Sequence, residues 1–151
     1  MSLAMTLHLL AAIVWVGGMF FAHMALRPAA AQLLDPPQRL PLLLKVFDGF
    51  FPWVWLAVIL ILVTGSWVLF SVFNGAATTS VWIMTLVGTL MAAIFVFIYA
   101  VPYHRMSEAL QAGELPKAGE AMALIRKLIG TNLILGLSVT TLAVAGKYSG
   151  F

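Results

Sequence analysis

The chain has 151 residues, of which 63% are hydrophobic and 9% charged, and its mean hydropathy is +1.06. Ordinary globular domains are roughly 45–50% apolar, so a soluble fold is excluded and one membrane domain spanning 1–151 is expected. The formal net charge of +3 comes from eight Lys and Arg at helix ends. It therefore bears on orientation in a bilayer, not on nucleic acid. With no cysteine, disulfides and thiolate metal sites are excluded as well.

Four apolar segments, at about 2–25, 49–73, 80–102 and 128–146, each approach the roughly 20 residues a helix needs to cross a bilayer. The expected fold class is an all-α transmembrane four-helix bundle. The first segment lacks a basic leader and a small-residue cleavage motif, so it is read as a retained span and not a signal peptide. Along it His8, Ala11, Ala12, Trp15, Met19, Ala22 and His23 recur at helical spacing and form one stripe. The alanines leave room beside Trp15, and Gly17 and Gly18 thin the adjacent flank. Two readings follow: close approach of a neighbouring helix, or a flat cofactor lying against this face, held by a histidine.

Pro36-Pro37 breaks the first connection, after which Leu40 to Phe47 forms a short amphipathic piece at the interface. Trp53 and Trp55 fit an aromatic belt at the start of the second span. The third span runs from near Trp82 to Tyr103-His104-Arg105. Gly113 suits a helix end and Pro116 a first turn, so the third and fourth spans are expected to extend past the bilayer as cytoplasmic helical extensions. Seven basic residues (Arg27, Arg39, Lys45, Arg105, Lys117, Arg126, Lys127) lie in the first and third connections, against Lys147 alone on the other side. The positive-inside rule then places both termini in the periplasm, N-out and C-out, for a chain in a bacterial inner membrane.

Ionisable groups inside spans are costly and often mark sites, which directs attention to the three histidines. His8 and His23 are about 22 Å apart along a helix, too far for one site. His8 sits near the outer face, and Met84 lies at similar depth on the third span, with Met5 a second sulfur one turn before His8. Imidazole with thioether is a ligand set for haem iron, and thioethers also suit cuprous copper. At the inner end His23 and His104 form a second candidate pair, or stand as unligated interfacial groups. Arg27, Arg105 and Lys45 are placed there to meet lipid phosphates or porphyrin propionates. Asn132 is the most polar group deep in a span after the histidines, on one face with Gly136 and Thr140; an interhelical hydrogen bond is its simplest role. No HExxH, P-loop, nucleophile–His–acid set or dinucleotide motif is present, and no carboxylate lies inside a span.

His8-Leu-Leu-Ala-Ala-Ile-Val-Trp15-Val-Gly17-Gly18-Met-Phe resembles the first helix of CopD-like and HemJ-like four-helix membrane proteins. The resemblance continues at residues 44–65, at Trp82, at Tyr103-His104, and from Arg126 through Asn132 to Gly136. HemJ-like proteins are haem-associated protoporphyrinogen oxidases whose first-helix histidine corresponds to His8, and CopD-like proteins serve copper resistance or uptake. The HemJ pattern has a lysine four residues after the helix-3 tryptophan. Leu86 stands there in this chain, which counts against that oxidase activity.

The resemblance and the stripe lead to the expectation of a haem b protein with an electron-transfer or haem-dependent redox role. Its ligand is His8, its pocket is shaped by Trp15, Gly17 and Gly18, and its partner is a quinone, porphyrin or redox protein. A copper-handling protein using His8 and methionines is the alternative, and a non-catalytic subunit of a membrane complex a third. A homodimer is also expected, because so small a bundle buries limited internal surface.

Overall fold

The computed structural model describes residues 2–149, with side chains from Leu3 to Gly146. Lys147, the one basic residue set apart by the charge count, lies outside the described side chains. Four helices are long and apolar enough to cross a membrane: Leu3–Leu33, Pro36–Val72, Thr79–Gln111 and Leu115–Gly146. No strand occurs among the described residues. The protein is an all-α, multi-pass membrane protein, the architecture a bilayer demands because a helix satisfies its backbone hydrogen bonds within itself.

The helices hold 31, 37, 33 and 32 residues. At 1.5 Å per residue they are roughly 46–56 Å long, against a hydrocarbon core of about 30 Å. All four therefore run past the bilayer. At the basic end only Leu34–Asp35 and the turn at Ala112–Glu114 separate consecutive helices. Gly113, at φ +74°, takes the left-handed conformation that closes the second of these turns. At the opposite end Asn74 and Gly75, at φ 49° and 76°, turn the chain between the second and third spans.

The second helix corrects the expected break at Pro36-Pro37. It begins at Pro36, and Leu40 to Phe47 lead into the apolar span within one uninterrupted helix. Pro36 and Pro37 occupy the first turn, where a missing N–H has no partner to lose, so they start a helix as readily as they break one. Pro41 and Pro52 also lie within it. Three π-helical turns, Ala22–Leu26, Val68–Val72 and Tyr99–Tyr103, interrupt the spans. Pro28 follows the first of them and Pro102 sits inside the third.

The first span packs chiefly on the second, the third on the fourth, and the first meets the fourth to close the bundle. The core is densest toward the basic end. There Phe51 stacks on Phe47 with centroids 5.1 Å apart and meets Phe95 and Tyr103 edge-on at 5.5 and 5.0 Å. Tyr103 also donates a 2.5 Å hydrogen bond to Asp48, tying the third span to the second.

Candidate functional site

The first span turns its stripe inward. Ala11, Trp15 and Met19 are buried, while Leu9, Leu10, Ile13 and Val14 are exposed on the opposite side. The face is filled by protein. Trp15 meets Phe95 of the third span edge-on at 6.4 Å. A Cβ on Gly18 would lie 2.3 Å from the Phe50 ring, so this glycine admits an aromatic side chain of the second span. Gly17 is exposed, with open space beside it. Small residues here serve close helix approach, the packing that membrane helices use in place of a hydrophobic drive.

His8 stands half-buried at the N-terminal end of this stripe. Its Nδ1 lies 2.8 Å from the Thr64 hydroxyl of the second span. That hydroxyl donates to the Leu60 carbonyl oxygen at 2.5 Å. Toward His8 the Thr64 oxygen therefore accepts, and Nδ1 carries the donated hydrogen. In the neutral imidazole the unprotonated nitrogen is then Nε2, which holds the lone pair a metal ion uses. Gly65, the next residue, makes room for the ring: a Cβ there would sit 3.5 Å from His8 Cε1. Thr64 and Gly65 together orient the imidazole, one by a hydrogen bond and one by the absence of a side chain. Met84 is half-buried on the third span and Met5 is exposed one turn before His8.

The two histidines at the basic end have separate partners. His23 lies in the first π turn and leans on the fourth span, where a Cβ on Gly130 would be 3.1 Å from its Cε1. His104 is exposed, and its Nδ1 donates to the Tyr99 carbonyl of its own helix at 2.5 Å. The Tyr99 carbonyl opens the π turn Tyr99–Tyr103, and the His104 backbone N–H bonds the Val101 carbonyl, so the ring nitrogen is a partner for Tyr99. Edge contacts with Tyr99 and Tyr103, at 5.3 and 5.4 Å, hold the ring there. The structure thus directs His23 to the fourth helix and His104 to the third. Arg105 and Lys45 are exposed, and Arg27 is half-buried beside His23 and Arg126. Asn132, 1% exposed, donates from Nδ2 to the Met91 carbonyl at 3.0 Å, while its Oδ1 is buried without a hydrogen-bond partner.

Residues 44–146 match the family model of copper resistance protein D. The chain belongs to the copper resistance protein D family. No curated protein and no solved structure matches it. Within this family frame the matched segment includes Thr64, Gly65, Met84, His104 and Asn132, whereas His8 and His23 precede it. A role for His8 therefore stands on its geometry alone. Among the described residues no three His, Cys, Asp or Glu side chains gather as a metal cluster. The soft-donor chemistry of cuprous copper does not call for one.

Sequence reasoning did not single out Thr64, Gly65 or Gly130 as site residues, and it read Arg126 and Lys127 as part of the basic end and not as lining a site with His23. A signal existed for the first two, since Thr64-Gly65 ends the unbroken apolar run Val54–Val63. Antiparallel pairing brings such late residues of the second span to the level of early residues of the first.

Proposed function

We propose that this copper resistance protein D family member handles copper within the membrane, with Cu(I) as its cargo and His8 as the imidazole donor. The observation that carries the reading is the Thr64 hydrogen bond, which supports an Nδ1–H tautomer with Nε2 as the free donor atom. Metal-binding histidines depend on such a bond at the other nitrogen to set their tautomer and orientation. The donor inventory supports the same cargo. All five acidic residues, Asp35, Asp48, Glu108, Glu114 and Glu120, lie toward the basic end, and there is no cysteine. The half of the bundle around His8 offers imidazole and thioether, from Met84 and Met5, and no carboxylate. Hard divalent ions seek oxygen ligands, whereas Cu(I) is matched by sulfur and imidazole. Two neutral donors leave the complex singly charged, which an apolar surrounding accommodates better than a dication.

The test is an anaerobic Cu(I) titration of the detergent-purified chain against a chromophoric chelator, with an absorption spectrum of the same sample. One equivalent of tightly held Cu(I), lost in His8→Ala and weakened in a Met5→Leu/Met84→Leu double variant, is the expected result. Unchanged Cu(I) affinity in His8→Ala would overturn the reading. So would a Soret band that sharpens on reduction and disappears in His8→Ala, because it would assign the imidazole to haem b.

A further inference from the structure

The basic end of the bundle holds a second feature, remote from His8. An open groove of about 660 Å³ lies between the first and fourth spans, lined by His23, Arg27, Arg126, Lys127, Gly130 and Ile134 among others. Three permanent cations thus share one concavity. Among the described residues the one ion pair joins Lys117 to Glu114, so no carboxylate neutralises Arg27, Arg126 or Lys127. Arg27 Nε is buried without a hydrogen-bond partner. Three cations without a carboxylate partner on one open concavity make a positive field that an anionic, acceptor-rich ligand would neutralise. Gly130 contributes by omission, letting the His23 ring sit against the fourth helix, where a Cβ would be 3.1 Å from Cε1 and 3.4 Å from Nε2.

The groove is not polar throughout. From Lys127 it continues along the fourth helix toward the membrane interior, past Thr131 to Ile134, which is 67% exposed. Seven residues of helix cover about 10 Å. A charged mouth at the interface followed by an apolar wall is the shape of a headgroup and the start of its acyl chain. Guanidinium groups present a planar fork that matches phosphate oxygens, and basic pockets between spans bind phosphate headgroups.

We propose that this groove binds a phosphate group, with the phosphodiester of an acidic phospholipid as its occupant. Arg27, Arg126 and Lys127 take the phosphate oxygens, His23 adds a polar edge, and the acyl chain follows the wall to Ile134. The site is independent of the copper reading and holds for either orientation of the chain.

Native mass spectrometry of the full chain tests it. The protein is released from micelles doped with dioleoylphosphatidylglycerol, with dioleoylphosphatidylcholine, or with inorganic phosphate alone. Phosphatidylglycerol is expected to be retained over phosphatidylcholine. Removing two charges in Arg126→Gln/Lys127→Gln should weaken its binding roughly 25-fold, at about five-fold per charge. Both side chains are exposed, so the double variant keeps the core intact. Lys117→Gln, on the same end but outside the groove, should leave binding unchanged. Equal retention of the two lipids with no phosphate binding, or phosphatidylglycerol binding untouched by the double variant, overturns the proposal. Saturable inorganic phosphate binding that is lost in the double variant, without preference between the lipids, keeps the phosphate site and overturns the lipid as occupant.

Discussion

Replacing Thr64 by valine exchanges one hydroxyl for a methyl and barely alters the shape of the side chain. Thr64 is 7% exposed and its oxygen holds two contacts, His8 Nδ1 at 2.8 Å and the Leu60 carbonyl at 2.5 Å. The Leu60 contact is local to the helix, and losing it changes little because β-branched valine keeps the same backbone. The His8 contact is the consequential one. An ordinary hydrogen bond contributes about 1 kcal/mol net, and a buried donor left unpaired costs about 1–3 kcal/mol. Without that acceptor the ring keeps only the Ile61 backbone carbonyl as a partner, so its preference for hydrogen on Nδ1 weakens. The tautomer with hydrogen on Nε2 removes the lone pair from the metal-binding side. Loss of such supporting bonds weakens metal affinity about 10- to 100-fold, or roughly 1.4–2.7 kcal/mol. Thr64→Val should therefore raise the Cu(I) dissociation constant by that factor in the chelator competition assay. Thr64→Ser, which keeps the hydroxyl, should stay within about three-fold, half a kcal/mol being less than one such bond. If Thr64→Val bound Cu(I) as tightly as the unaltered chain while His8→Ala did not, His8 would be a ligand whose orientation owes nothing to Thr64, and the tautomer argument would fail.

Two packing predictions can be read by thermal unfolding in detergent. Gly17→Ala should be neutral or raise the midpoint, since the site opens to space and alanine favours helix by about 0.5–1 kcal/mol, whereas Gly18→Ala must displace the Phe50 ring and should cost about 1–3 kcal/mol. Equal midpoints for the two variants would show that Phe50 does not seat against the first helix. Asn132→Leu should be nearly neutral, because the lost bond to Met91, worth about 1 kcal/mol, is offset by removing a buried oxygen with no partner. Asn132→Asp should instead lower the midpoint sharply by burying a charge, and an Asn132→Asp midpoint above that of Asn132→Leu would contradict the described burial.

Much of the architecture was legible in the sequence because the bilayer is a severe solvent. Long apolar runs admit only spanning helices, and charged residues are driven to their ends, so four spans and one basic end follow from hydropathy alone. The inward face of the first span was legible too, since His8, Trp15 and Met19 share a face by period alone. The helix limits at the basic end were less so. A Pro-Pro pair reads equally as a break or as a first turn, and only the chain that follows decides between them.

By itself, then, the sequence determined that this is a four-span helical protein with its histidines on particular helix faces. Tertiary structure alone decided what those faces meet. Helical periodicity says which side of a helix a residue occupies but not which residue of a distant segment stands opposite. Hence Thr64 behind His8, Phe50 on Gly18 and the Gly130 shelf under His23 emerged only with the packed bundle. The pairing of His23 with the fourth span, and of His104 with its own Tyr99 carbonyl, was decided in the same way. A π turn rotates the side chains that follow it and changes their backbone partners, and no pattern of apolar residues records that rotation.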